Sequence, residues 1–190
     1  VARPKSEDKR LALLDATTRA VAEFGLGAAT SLIARKAGVA EGTLFRYFAT
    51  KDVLLNEVYH YHKHALGIEL MKTYDQAQPV KERARKTWNS YIEWGLVNID
   101  ARKTMSQLSV SGKITKETLR KTFDEFPELR QLSNESVTNE YLTCGESPFG
   151  DAIFFSLAET TMEFAGREKE RKQEYMAAGF DVMWRGMTKA

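Results

Sequence analysis

A single cysteine, Cys144, excludes an internal disulfide. No signal-peptide pattern accompanies it, so the expected compartment is a reducing cytoplasm. A lone thiol with no obvious basic neighbour is expected to be inert. Proline is scarce too, with 4 among 190 residues, which leaves long stretches free to be helical. No apolar run approaches the roughly 20 residues needed to span a bilayer as a helix. Paired carboxylates, a nucleophile motif and a phosphate-binding loop are all missing, so the pattern does not support an enzyme. Histidine occurs three times, as His60, His62 and His64. His60 and His64 share a helix face at i, i+4, but no thiol or carboxylate is spaced to complete a ligand set. A solvated face is the expectation there, with no metal and no cofactor.

What the sequence does hold is helical period almost throughout. Hydrophobic residues make up 43% and charged residues 28%, a balance that suits a globular domain with its own core. The fold class expected is all-α. A first helix is expected after Ser6 as N-cap, with Glu7 and Asp8 in its first turn and Leu11, Leu14, Val21 and Phe24 as its apolar stripe. Gly25 and Gly27 end it. Two short helices follow, about 29–37 and 41–48. A long helix begins at Lys51 under a Thr50 cap. Pro79 marks the start of another, Gly112 the end of a shorter one, and Pro127 a break. "CGESPFG" reads as a loop, with Ser147 capping a helix whose first residue is Pro148. A last helix covers about 170–188. The change from short to long helices puts a domain boundary near residue 50, giving 1–50 and 51–190.

Net charge is only +2, but it is unevenly placed. The first 52 residues carry nine Lys/Arg against six Asp/Glu, while the remainder carries 19 against 20. The positive excess therefore sits on the N-terminal part, as suits a small module facing a polyanion.

That module contains "IARKAGVAEGTLFRYFATK", residues 33–51. Two short helices must cross at a steep angle. Ala34 is small enough for the crossing, and Gly38 four positions on can take the positive φ that the turn needs. Ile33, Ala37, Val39, Leu44 and Tyr47 are placed to anchor both helices on the first. This is the pattern of a helix-turn-helix whose second helix can enter a major groove. Gly42 lets a phosphate or base edge approach the backbone. Thr43 offers a hydroxyl for phosphate and a methyl for thymine, and Arg46 and Tyr47 follow one turn on. Lys51 opposes the macrodipole of the helix it opens; with Thr50 and free N–H groups it suits a phosphate. Arg3 and Lys5, in an arm before the first helix, are placed to reach a minor groove.

"LLDATTRAVAEFG" and "IARKAGVAEGTLFRYFATKDVLL" resemble the DNA-binding half of the TetR family of transcriptional regulators. Further segments, "ARPKSEDK", "WNSYIEWGL", "FPELR", "LAETTMEFA" and "GFDVMWR", are similar to the RamR-type repressors of that family, which act in multidrug-efflux regulation. The resemblance implies a homodimer reading a palindromic DNA operator, with a larger helical domain that binds a small effector. Thr43, Tyr47 and Lys51 match the family's DNA-contacting positions, and Gly42 matches its glycine. Two positions depart from the pattern. Ala29 stands where a hydroxyl residue usually caps the second helix, a change worth about 1 kcal/mol. Phe45 stands where tyrosine is common, which removes a hydroxyl contact to phosphate.

In the larger part, aromatic residues recur on helix faces, and such stripes usually belong to a core. Asp151, one turn before Phe154, supplies a charge suited to a cation stacked on rings. With the RamR-type resemblance, Tyr59, Trp88, Asp151 and Phe154 are the expected ligand-binding residues. The last two helices, with Ala178, Gly179, Phe180, Trp184 and Gly186, are the expected dimer interface. The function expected is a ligand-responsive repressor released from DNA by lipophilic or cationic compounds. An acyl-responsive regulator, an activator, and a carrier without DNA function are the alternatives.

Overall fold

The computed structural model describes residues 5–138, 142 and 149–188, and all secondary structure among them is helical. In order these are α1 (Lys5–Phe24), α2 (Thr30–Lys36), α3 (Glu41–Tyr47), α4 (Lys51–Met71), α5 (Val80–Val97), α6 (Ile99–Ser109), α7 (Lys116–Asp124), α8 (Pro127–Ser136), α9 (Phe149–Arg167) and α10 (Lys172–Met187), with a 3-10 turn at Lys169–Arg171 before α10. No helix among the described residues is long and apolar enough to cross a membrane.

The chain divides into two compact units. One is Val1–His64 with Ile99–Thr122, the other Ala65–Asn98 with Phe123–Ala190. This division does not follow the line at residue 50, because α6 packs on α1 and takes its neighbours with it.

In the first unit, α1 buries Leu13, Leu14, Ala16, Ala20 and Val21 against Ile33, Ala34, Leu44, Phe48, Leu54, Leu55 and Val58. Two expectations for α1 need correction. Ser6 lies inside the helix, which already includes Lys5; a residue with helical backbone is not an N-cap, where the backbone is extended. Phe24 is turned outward, 53% exposed. The stripe ends before it, and the Lys36 ammonium covers its ring at 5.5 Å.

Several polar groups pair inside this core. Thr18 donates its hydroxyl to Leu14 O at 2.9 Å and lies 2.7 Å from His62 Nε2. Since the hydroxyl hydrogen is already given to Leu14, His62 is the donor, as the neutral Nε2–H tautomer. Thr104 Oγ1 donates to Thr18 O at 2.9 Å, which ties α6 to α1. Burial holds the His62 pKa down at about 4.

In the second unit, α5 packs against α8, α9 and α10. A Cβ on Gly179 would come within 2.4 Å of Thr161 Oγ1 and 2.9 Å of Trp88 Cζ2. Phe180 is fully buried. Both therefore serve packing within the chain, where the sequence had suggested an interface between chains. The Gly186 side of α10 is different: a Cβ there would meet nothing within 4 Å. Arg83, 6% exposed, links three segments. Its Nε donates to Gln78 O at 3.0 Å, Nη1 to Tyr74 Oη at 2.9 Å, and Nη2 to Glu135 of α8. No local sequence pattern marks this arginine.

Candidate nucleic-acid interface and aromatic cluster

The turn between α2 and α3 is a complete Schellman motif. Gly38 takes φ +69°, its N–H bonds Arg35 O at 3.1 Å, and Val39 N–H bonds Ala34 O at 3.0 Å. Those bonds satisfy carbonyls at the end of α2 and set the exit direction toward α3. Ala29 is the N-cap of α2 and makes no side-chain cap bond. The Thr30 hydroxyl does not replace it. It donates to the Glu41 carboxylate instead, joining the first residues of α2 and α3.

Helix α3 turns Leu44 fully inward, and Tyr47 packs half-buried on the core beside Phe48. Glu41, Gly42, Phe45 and Arg46 are exposed and Thr43 is half-exposed. The structure thus brings Gly42, Thr43 and Arg46 onto the solvent face of one helix, with Tyr47 at its edge. Phe45, 43% exposed, shares that face. Nothing lies within 4 Å of a Cβ added to Gly42. Internal packing therefore does not require glycine there, and alanine would favour the helix.

Thr50 caps α4 by accepting from Val53 N–H at 3.1 Å. Lys51 donates from Nζ to Leu26 O at 2.7 Å, so it holds the loop after α1 as well as standing at the head of α4. Arg3 lies outside the described residues. Lys5 opens α1 and so belongs to a helix instead of a preceding arm, though its side chain lies outside the description.

The expected ligand residues fall in different places. Tyr59 is 4% exposed in the core of the first unit, with Lys63 Nζ 5.6 Å above its ring. Trp88 and Phe154 belong to the second unit and meet edge to face at 5.6 Å. Tyr91 lies 5.5 Å and Phe155 5.6 Å from Phe154, so four rings form one cluster. Trp88 Nε1 donates to Met176 O at 3.0 Å. The side chain of Asp151 lies outside the described residues, as do Cys144, Ser147 and Pro148. His60 and His64 stack at 6.3 Å while His62 turns inward. No group of three metal-binding side chains occurs among the described residues.

A three-helix unit whose second and third helices cross through a Schellman turn, with a polar outward face, defines a helix-turn-helix protein. Residues 13–58 match the family model of the bacterial regulatory proteins of the tetR family, a family of regulators and not of enzymes. A curated HTH-type transcriptional regulator of Haemophilus influenzae is 34% identical over 79 residues, a match covering 41% of this chain and 42% of that protein. The likeness to that relative thus spans less than half of its length. A solved TetR family transcription regulator from Marinobacter aquaeolei is 19% identical with a TM-score of 0.74 over 100% of both chains. The TetR-like regulator LfrR of Mycobacterium smegmatis, solved in complex with proflavine, is 19% identical with a TM-score of 0.60 over 96% of this chain and 99% of that one. At such identities the likeness to these structures concerns the fold.

Proposed function

We propose that this protein is a sequence-specific transcriptional repressor that binds a pseudo-palindromic operator as a homodimer and is released by lipophilic or cationic compounds. The observation that carries the reading is the outward face of α3. It holds a glycine that internal packing does not require, beside a hydroxyl, an aromatic ring and a guanidinium. Small residues allow close approach to the duplex, and the others suit base edges and phosphates.

For the dimer, the support is the exposed apolar surface of α9 and α10. Ile153 is 40%, Phe164 38% and Val182 61% exposed, and Ala178 and Gly186 add small exposed positions. Two copies joined through these helices would present two α3 helices to half-sites about 34 Å apart.

For the effector, the support is the ring cluster of Trp88, Tyr91, Phe154 and Phe155. Aromatic rings attract organic cations, and proflavine, bound by LfrR, is a compound of that class. The RamR-type segments support efflux or efflux-regulator genes as the targets. Release requires the effector to favour the off-DNA form; tenfold release corresponds to about 1.4 kcal/mol. Helix α4 carries Lys51 at one end and gives Ala65–Met71 to the second unit, so it is the covalent route for such a shift.

The test is selection of bound duplexes from a randomised library at low and moderate salt. One palindrome surviving the salt increase is the expected result. Salt-sensitive binding with no consensus would end the repressor reading. The selected duplex then serves to compare proflavine-like dyes with acyl compounds for release; release by acyl compounds alone would make the protein a lipid-responsive regulator.

A further inference from the structure

The segment joining α6 to α7, about 60 residues downstream of the helix-turn-helix, is fastened beside the head of α4. Asn56 of α4 does this with its whole amide. Nδ2 donates to Lys113 O at 3.0 Å and to Asp52 O at 2.8 Å, and Oδ1 accepts from Thr115 N–H at 2.9 Å. Lys113 then reaches back, its Nζ 3.0 Å from Asp52 Oδ1. Asp52 is the acidic residue in the first turn of α4. Its carboxylate follows Lys51 directly and would repel a phosphate approaching there; Lys113 cancels that charge.

Helix α7 follows this segment directly. Thr115 caps α7 by accepting from Thr118 N–H at 3.1 Å. Ile114 and Leu119 pack on the core of the first unit. Lys116, Arg120 and Lys121 are exposed and, among the described residues, form no ion pair. Residues 113–121 hold four basic residues and one acidic residue, an excess equal to that of the first 52.

We infer that this α6–α7 surface is a second contact to the DNA backbone, placed on phosphates that flank the half-site read by α3. The inference rests on the DNA-binding reading above. Charge complementarity and continuity with the Thr50–Lys51 end of α4 support it. Flexible Lys and Arg side chains without a close-approach glycine suit phosphates, which position a protein without reading sequence.

The test uses the full chain and the selected palindrome in two lengths, one ending at the palindrome and one extended by about one helical turn on each side. Affinities are measured across a salt series. The wild type is expected to prefer the extended duplex. The Lys116→Ala/Arg120→Ala/Lys121→Ala variant should lose that preference. Its slope of log K against log salt should fall by about 0.9 for each contact removed, while its ranking of mismatched operators stays unchanged. Lys113→Gln should weaken binding to both duplexes, and adding Asp52→Asn should restore it. A folded triple variant that matches the wild type in slope and in affinity for both duplexes overturns the inference. A wild type that selects no palindrome at all removes the DNA-binding reading first, and this inference with it.

Discussion

The ammonium of Lys51 donates a hydrogen bond to the main-chain carbonyl of Leu26, 2.7 Å away. The lysine at the head of α4 thereby holds the loop that leads into α2. It carries a structural bond while keeping its charge and further N–H donors for a phosphate. Lys51→Met is therefore expected to act twice. Stability should fall by about 1–2 kcal/mol through the lost charged donor, and operator affinity by more than tenfold. Urea denaturation and a DNA titration on the same variant separate the two. A loss of stability with unchanged affinity would make the lysine structural only.

Gly42 should show the opposite separation. A Cβ there meets nothing within 4 Å, so Gly42→Ala should leave the fold as stable or raise it by up to about 1 kcal/mol. Operator binding should fall at least tenfold, because the methyl group stands where the duplex approaches. Equal DNA affinity in the alanine variant would remove Gly42 from the interface.

His62 makes stability depend on pH. Its folded pKa is about 4 against 6.5 in the unfolded chain, so between these values the unfolded state binds more protons. Stability then rises with pH across that window, and is lost as pH falls from 6.5 toward 4. The full effect is about 3 kcal/mol, from roughly 1.4 kcal/mol per unit. Chemical denaturation at a series of pH values should show this slope. His62→Gln, which keeps a donor toward Thr18, should flatten it; an unchanged slope would assign the effect to other groups.

The glycines of α10 should part company. Gly179→Ala drives a methyl group into Thr161 and Trp88 and should cost about 1–3 kcal/mol. Gly186→Ala meets nothing within 4 Å among the described residues and should stabilise the isolated protomer by up to about 1 kcal/mol. Thermal melts at low protein concentration check both. Sedimentation of Gly186→Ala then tests the dimer face, since a weakened dimer would place Gly186 at a close contact between copies.

The helix-turn-helix was legible because its determinants are local. Gly38 takes the positive φ expected of it, Thr50 caps α4, and Leu44 is buried one turn into α3. Each follows from backbone sterics or from hydrogen bonds spanning a few residues. The ends of α1 were less legible. Ser6 has the chemistry of a cap without the backbone conformation, and Phe24 has the chemistry of a core residue beyond the end of the buried stripe. The aromatic residues at helical spacing were visible too, but spacing does not tell which stripe meets which. Trp88 and Phe154 meet, whereas Tyr59 is packed into the core of the first unit.

The sequence by itself determined an all-helical chain, the helix-turn-helix and the residues on the outward face of α3, because period, caps and glycine conformations act over a single turn of backbone. Only the tertiary structure decided that α6 joins the first unit, that Thr104 bonds Thr18, that Arg83 reaches Glu135, and that Asn56 fastens Lys113 beside Asp52. An apolar or polar position states which face of a helix will be covered. Its partner is settled by how all the helices share one core, and that information is not carried by any local stretch.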